Sequence, residues 1–306
     1  MVELAPWWFA AALPVLVLAG VWAVETADAL ARARASGASA PRALLAPLRS
    51  AALLLVQQRR RVVGADVLLG RAAGFVLLVA AIGAAALVPL GHHVVLDSPV
   101  SLAWFNTLEI GSWAAVWLAG WGANSAFSLV GGYRFLAQGL AYELPHMFAL
   151  VCAAVAAGSL RLTDIVAAQQ DQWFVVTMPV AFLIYLMSVP AMSFSPPFAS
   201  ALGGDIAGGA LAETSGPDRL LVLFARRALF VAAAAMAVPL FLGGGAGPWL
   251  AGWLWSLLKT VAVLAVLVWA GRRCPSIRMS RYMEVGWIVL LPLILLQALV
   301  VSVLAR

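Results

Sequence analysis

The sequence predicts an all-α, polytopic membrane protein with about eight transmembrane helices. Of its 306 residues, 64% are apolar and 10% are charged, and the mean hydropathy is +0.99. A soluble domain is nearer about 45–50% apolar and about 25% charged. The apolar residues also fall in long runs, and the basic residues fall between those runs. We therefore expect 1–306 to form a single integral membrane domain.

Eight apolar runs approach the length of about 20 residues that a helix needs to cross hydrocarbon. They are 5–26, 72–90, 102–121, 137–157, 173–191, 224–243, 250–270 and 285–304. The first run is long and lacks both a basic stretch before it and a small-residue cleavage site. We expect it to stay in the protein as the first span and to serve as the targeting signal.

The basic residues indicate the topology. With eight spans, sixteen of the nineteen fall on one side of the membrane. These sixteen are Arg32, Arg34, Arg42, Arg49, Arg59, Arg60, Arg61, Arg71, Arg134, Arg219, Arg226, Arg227, Arg272, Arg273, Arg278 and Arg281. Basic loops stay in the cytoplasm, so both termini should lie on the outer side of a bacterial inner (plasma) membrane. The net charge of +6 is thus a topology signal, and we expect no nucleic-acid partner.

Two predicted cytoplasmic loops are long. The loop 28–71 carries an apolar stripe that includes Leu44, Leu48 and Leu55, which is typical of an amphipathic helix lying in the membrane interface. Such a helix either rests on lipid alone or serves as a platform for a soluble partner. The loop 192–223 holds prolines, glycines and acids, and structureless loops of this length are usually functional or disordered.

The fourth run contains polar residues that hydrocarbon disfavours. A carboxylate at membrane depth costs about 2.5–3.5 kcal/mol on insertion scales, which makes Glu143 the first functional candidate. Arg134, Gln138 and Tyr142 are spaced four apart and share one helical stripe, while Glu143 shares a face with His146. A proton relay along a water-lined channel explains this pattern. Hydrogen bonding between neighbouring helices explains it as well.

An ordered set of residues between positions 119 and 166 carries a family resemblance. The set is Ala119-Gly120-Trp121, Asn124, Ser128-Leu129, Gly131, Arg134, Ala137-Gln138, Leu140, Tyr142-Glu143, Gly158-Ser159 and Thr163-Asp164-Ile165-Val166. Weaker matches lie at Ser215-Gly216, Lys259-Thr260 and Gly286-Trp287. On these residues the chain resembles a divergent member of the ND1 family, which is the H-subunit family of proton-pumping NADH-quinone oxidoreductase, complex I.

The resemblance implies a membrane-arm subunit of a respiratory translocase, which is not catalytic alone. It would line the quinone chamber at the junction with the peripheral arm and couple quinone reduction to proton movement. Its partners would be other membrane-arm subunits, the peripheral iron–sulfur and quinone-module subunits, and membrane lipid. Quinone would bind as a shared substrate. We expect no flavin, haem, iron–sulfur cluster or other metal in this chain, which has neither a Rossmann fingerprint nor a cysteine cluster.

The resemblance also assigns candidate site residues in two groups. The proton-relay group is Glu143, Arg134, Tyr142, Asp205 and Glu213. The quinone-chamber group is Glu25, Gln138, Phe198 and Arg278. Two other charged residues lie within predicted spans. We expect Glu109 to snorkel or to be paired locally, and Lys259 either to pair with a buried acid or to snorkel.

The chain departs from the family in its cytoplasmic acids. Pro197-Phe198 is followed by Ala199 where the family has an acid, and Arg226-Arg227 stand where the family has a Glu-Tyr pair. A proton path needs titratable groups or ordered water at short intervals, so these changes bear on coupling. Two alternatives therefore stay open: the equivalent subunit of a related membrane-bound hydrogenase or complex I-like assembly, and a structural anchor with weakened coupling.

Overall fold

The computed structural model describes residues 3–37, 39–60 and 62–304, which are almost entirely helical. The α-helices are α1 (Trp7–Ser36), α2 (Ala40–Val56), α3 (Val67–Ala86), α4 (Ser101–Gly122), α5 (Ala126–Ala157), α6 (Leu162–Ala167), α7 (Phe174–Thr177), α8 (Pro179–Met192), α9 (Gly216–Phe241), α10 (Gly252–Arg273), α11 (Met279–Val285) and α12 (Leu291–Leu304). A π-helical turn, Gly286–Leu290, joins α11 to α12. Two short parallel strands, β1 (Glu3–Leu4) and β2 (His93–Val94), pair at one end.

The predicted all-α, polytopic class is confirmed. Within the described residues, six helical segments are long and apolar enough to cross a membrane, namely Trp8–Ser36, Val67–Ala86, Ala126–Ala157, Gly216–Phe241, Gly252–Arg273 and Met279–Leu304. The two other predicted spans correspond to α4, which is long but less apolar, and to α8, which has 14 residues. The run 173–191 is divided because Met178 precedes a proline and leaves the helical conformation, with φ −134°.

The helices of the eight predicted spans alternate in direction, so that one end of the bundle collects the predicted cytoplasmic loops. We call this the basic end. It holds the last residues of α1, α4, α8 and α10 and the first residues of α3, α5, α9 and α11. Ion pairs tie these termini together, including Arg71–Asp218 at 3.8 Å and Arg272–Asp28 at 2.7 Å. The one arginine predicted for the opposite side within the described residues, Arg161, pairs there with Asp97.

Helix α2 follows the first span, as the apolar stripe predicts. Its Ala43 is buried against Ala29 and Ala33 of α1, while leucines on its other face are exposed. These exposed residues are Leu44, Leu45, Leu48, Leu53 and Leu55. An apolar face left open along a helix at the end of the bundle is what an interfacial helix presents to lipid.

Helix α9 is the central element of the bundle. It packs against α1, α3, α8 and α10, and nearly every residue from Ala225 to Phe241 is buried. Many of these residues are alanines, whose small side chains let neighbouring helices approach closely in a membrane. One hydrophobic core extends through this helix and its neighbours.

Lys259 lies at the C-terminal end of α9, away from the basic end. Its Nζ donates hydrogen bonds to the carbonyl oxygens of Leu242, Gly244 and Ala246 at 2.6, 3.0 and 2.7 Å. The ammonium also lies 4.1 Å from the ring centre of Trp173. The last carbonyls of a helix lack intrahelical partners and carry partial negative charge, so a cation there is stabilising. Neither expected role for this lysine, pairing with an acid or snorkelling, is what the structure shows.

We predict that Lys259→Met destabilises the protein by about 1–3 kcal/mol, because buried carbonyl oxygens lose their donor. The readout is the thermal unfolding temperature of the purified protein in detergent. Leu258→Met, at an exposed position next to it on α10, is the matched control and should change little. Equal unfolding temperatures for the two variants would contradict this role of Lys259.

Candidate functional site

Two buried acids lie in the interface between α4 and α5. Tyr142 donates from its hydroxyl to Glu109 Oε2 at 3.3 Å and accepts from the indole N–H of Trp113 at 2.9 Å. Glu143 Oε1 accepts from the side-chain amide of Asn106 at 3.2 Å. Asn106 lies one turn before Glu109 on α4 and Tyr142 directly precedes Glu143 on α5, so these two hydrogen bonds bring the acids together from the facing helices. We call these five residues the acid cluster.

The acid cluster is shielded from the surroundings. Glu109 is 0% exposed and Glu143 is 8% exposed. Each acid nevertheless keeps one buried oxygen without a hydrogen-bond partner among the described residues, Glu109 Oε1 and Glu143 Oε2. The expectation that Glu109 snorkels to the membrane surface is therefore wrong, and the expectation of local pairing is right. Its spacing from Asn106 and Trp113, one turn either way along α4, is the signal that indicates a shared polar face.

Glycines bring α4 and α5 into the contact that the acid cluster requires. A Cβ added at Gly139 would lie 2.3 Å from the Trp113 indole, so this ring can cover α5 only because residue 139 has no side chain. At the basic end, a Cβ at Gly120 would lie 2.6 Å from the Ser128 carbonyl oxygen. Small residues at these positions allow the two backbones to approach closely, as in other membrane helix pairs.

From the acid cluster, polar groups continue toward α8. His146, which is fully buried, lies one turn beyond Glu143 on α5, and its Nδ1 is 2.7 Å from the Ser188 hydroxyl oxygen. Ser188 Oγ donates to the Tyr185 carbonyl oxygen, and the Tyr185 hydroxyl donates to the Ala233 carbonyl oxygen of α9 at 2.8 Å. The second ring nitrogen of His146 has no partner among the described residues.

Toward the basic end, the predicted stripe on α5 binds the loop that follows α8. Gln138 donates to the Ala191 carbonyl oxygen at 2.7 Å and accepts from the Ser200 hydroxyl at 3.1 Å. Arg134, one turn earlier, forms an ion pair with Asp205 at 2.7 Å. The hydrogen bond from the Arg134 guanidinium holds the pKa of the exposed Asp205 carboxyl below its usual range. The stripe therefore places polar side chains at successive turns of α5, from Arg134 beside Asp205 to Tyr142 in the acid cluster.

A cavity of about 290 Å³ opens at the basic end between α1, α9, α10 and the loop after α8. Its lining residues include Asp28, Arg32, Ser195, Pro196, Arg226, Arg227, Phe230, Leu267, Val268 and Arg272. Asp28 accepts hydrogen bonds from both Arg227 and Arg272, at 2.8 and 2.9 Å. Arg227 also pairs with Glu25, one turn before Asp28 on α1.

Sequence reasoning found Glu25 but missed Asp28, which holds two arginines. The signal was present, because residues three apart lie on the same face of a helix and both acids face the Arg226-Arg227 pair. Arg226 itself is 8% exposed, and its guanidinium lies 5.0 Å from the centre of the Phe194 ring.

The structure places the other predicted site residues away from the cavity at Asp28. Glu213 accepts from the Ser125 hydroxyl at the first turn of α5, two turns from Arg134. Phe198 is buried against Tyr282, with ring centres 4.4 Å apart. Arg278 immediately precedes α11 on the surface, beside an open cleft. None of these three residues lines the cavity at Asp28.

Together, the fold and the acid cluster define an all-α polytopic membrane protein with acidic side chains buried between its helices. A family model described as NADH dehydrogenase matches residues 7–302. The chain is 36% identical over 271 residues to the H 1 subunit of NADH-quinone oxidoreductase from Geobacter metallireducens, which covers 85% of this chain and 82% of that relative. The match to the H 2 subunit of the same enzyme from Geobacter sulfurreducens has the same identity and coverage. The chain therefore belongs to the NADH dehydrogenase family, in which these H subunits are found.

We predict that Gly139→Ala disturbs the acid cluster, because the new methyl group displaces the Trp113 indole and breaks its hydrogen bond to Tyr142. Overpacking of this kind costs about 1–3 kcal/mol. The measurement is the thermal unfolding temperature in detergent. Gly70→Ala is the matched control, since a Cβ there meets no atom within 4 Å and should be neutral or stabilising. A Gly139→Ala protein as stable as the control would contradict the described packing.

Proposed function

We propose that this protein is the membrane-arm subunit of a proton-translocating NADH-quinone oxidoreductase. In this role it binds quinone at the junction with the peripheral arm and couples quinone reduction to proton movement. It is one subunit of the enzyme and does not catalyse the reaction alone. The observation that carries the proposal is the row of polar side chains at successive turns of α5, which begins at the loop at the basic end and ends at two buried acids.

The cavity beside Asp28 supports the quinone part of the proposal. The guanidinium groups that line it supply hydrogen-bond donors for quinone carbonyl oxygens, and Phe230, Leu267 and Val268 supply apolar surface for a ring. Its volume lies near the lower end of the range for small-molecule sites, about 300–1,000 Å³, which suits a headgroup and not a whole isoprenoid quinone. Glu25, which we assign to the quinone chamber, would act there through its ion pair with Arg227.

The loop after α8 supports coupling between this cavity and the acids. Ser195, Pro196 and Ala199 line the cavity, while Ala191 and Ser200 on either side of them bind Gln138. A change of charge in the cavity therefore acts on a loop that is hydrogen-bonded to the stripe. Arg134, Gln138 and Tyr142 then lead to Glu143. Glu213 and Asp205 lie on the same face of the bundle, where the peripheral arm would dock.

The arrangement of the arginines supports the orientation. We propose that the basic end faces the cytoplasm, that both termini lie on the outer side, and that residues 1–306 form one integral domain. The partners are the other membrane-arm subunits, and the peripheral iron–sulfur and quinone-module subunits at the basic end. The names of the two Geobacter relatives favour this assembly over a membrane-bound hydrogenase.

We predict that Val268→Trp, which fills the cavity from α10, lowers quinone reduction by the assembled complex about tenfold or more. Electron transfer to a water-soluble acceptor that reacts before the membrane arm should be unchanged. Val266→Trp, two residues away and exposed, is the matched control for a tryptophan on this helix. If both variants reduce quinone at the parent rate, the cavity is not the quinone site.

We also predict that Glu143→Gln lowers proton translocation about tenfold or more, because proton transfer by a positioned side chain contributes about 10²–10⁴ in rate. The measurement is acidification of proteoliposomes that contain the complex, normalised to assembled enzyme. Asp171→Asn, at an exposed acid near the opposite end of the bundle, is the control. Unchanged translocation in Glu143→Gln would refute the relay and favour a structural anchor.

A further inference from the structure

The acid cluster contains two carboxyl groups, whereas the proposed relay accounts for only Glu143. Glu109 lies on the facing helix, fully buried. It accepts a hydrogen bond from Tyr142, the residue before Glu143, while Asn106, one turn from Glu109, donates to Glu143. It is not one of the positions that carry the family resemblance, and hydrogen bonding to Tyr142 uses only one of its oxygens. The second oxygen, like that of Glu143, is buried and unpartnered among the described residues.

No positive charge compensates this pair within the part of the chain that the structure describes. The ion pairs formed by arginines all lie near the ends of the bundle, and Lys259 binds carbonyl oxygens at the C-terminal end of α9. The polar groups that face the acids are neutral donors. They are the Asn106 amide and the Tyr142 hydroxyl, with His146 one turn beyond Glu143 and Tyr185 packed against His146 from α8.

Two carboxylates this close in a medium of low polarity cannot both stay ionised, because like charges at one site disfavour the second charge. If both acids were neutral, each would carry an O–H group on its free oxygen. Only one of these two groups could then donate to the other acid, and the second would lack an acceptor. A single proton satisfies the geometry with the fewest unmet groups, since the O–H of one acid then donates to the free oxygen of the other. With one shared proton, the net charge of the pair is −1, whichever carboxyl holds the proton.

We infer that Glu109 and Glu143 form a carboxyl pair that shares one proton, so that Glu109 is a second proton-carrying residue on the path. This inference rests on the proposed proton relay through Glu143. When the proton crosses the pair, the O–H bond of one carboxyl breaks as that of the other forms, and no other reactant is needed. The pair moves a proton from α5 to α4, and it accepts the next proton only after the first has left.

Proton translocation by the assembled complex in proteoliposomes tests the pair through E109Q, E143Q and the double variant. Glutamine keeps the shape of the side chain and still accepts the hydrogen bond from Tyr142, so folding should be preserved. We expect E109Q to lower translocation as strongly as E143Q, and the double variant to be no worse than either, because residues that act as a unit are not additive. Electron transfer to a water-soluble acceptor should be unchanged in all three.

This experiment tests the carboxyl pair and the relay through Glu143 separately. If E109Q translocates protons like the parent while E143Q does not, the pair is wrong and the relay through Glu143 stands. If E143Q itself is unimpaired, the relay is wrong as well. E109D provides the conservative variant and should restore part of the loss. Should E109Q not assemble, E109N, which also lacks a carboxyl, carries the test, and parent-like translocation in E109N would then overturn the pair.

Infrared spectroscopy counts the proton directly. We compare the spectra of the parent complex and the double variant at neutral pH. The variant should lack one protonated-carboxyl C=O band and one carboxylate band that the parent shows. The protonated band should shift in D₂O. Loss of two carboxylate bands with no C=O band, or of two C=O bands with no carboxylate band, would overturn the shared proton.

Discussion

Polar groups inside a membrane must find their partners within the protein, because hydrocarbon offers none. In this structure the packing of α4 on α5 supplies partners for one oxygen of each buried acid. The hydroxyl of Tyr142 and the amide of Asn106 reach the two acids only because Gly139 allows the helices and the Trp113 ring into close contact. If α4 were rotated or moved outward, Glu109 and Glu143 would face hydrocarbon, at a cost of about 2.5–3.5 kcal/mol each on insertion scales.

At the basic end, arginines take the place of acids. Acids that are typical of the family are replaced in the loop after Phe198, and Arg226-Arg227 occupy the first half of α9. Asp28 and Glu25 on α1 compensate part of this charge, and the cavity nevertheless keeps an excess of guanidinium groups. In our account, the charge of a reduced quinone would be sensed there by arginines and passed on through the loop, in place of a row of carboxylates.

The sequence was sufficient for features that depend on composition and period. It predicted the all-α class, the long apolar helices and a helix after the first of them, because each leaves a one-dimensional pattern of apolar and polar residues. It also predicted the stripe of Arg134, Gln138 and Tyr142 from their spacing, and the structure shows that its first two members bind the loop after α8.

Features that depend on how one helix faces another were not predictable in the same way. The burial of Glu109 follows from the rotation of α4 against α5, and the role of Lys259 follows from where the chain turns after α9. Asp28 organises arginines that lie about 200 and 244 residues away in sequence. The separation of Phe198 and Arg278 from the cavity likewise results from the path of the loop after α8.

The central claim is that two acids from facing helices meet inside the membrane and are joined by side chains to the cavity at the basic end. The most direct test is a cryo-electron microscopy map of the assembled complex in lipid, at a resolution that shows carboxylate groups and ordered water. We expect the Glu109 and Glu143 carboxyls to lie within hydrogen-bonding distance of each other, with Tyr142 on Glu109. A map in which either acid points into lipid, or pairs with a cation from another subunit, would contradict the account.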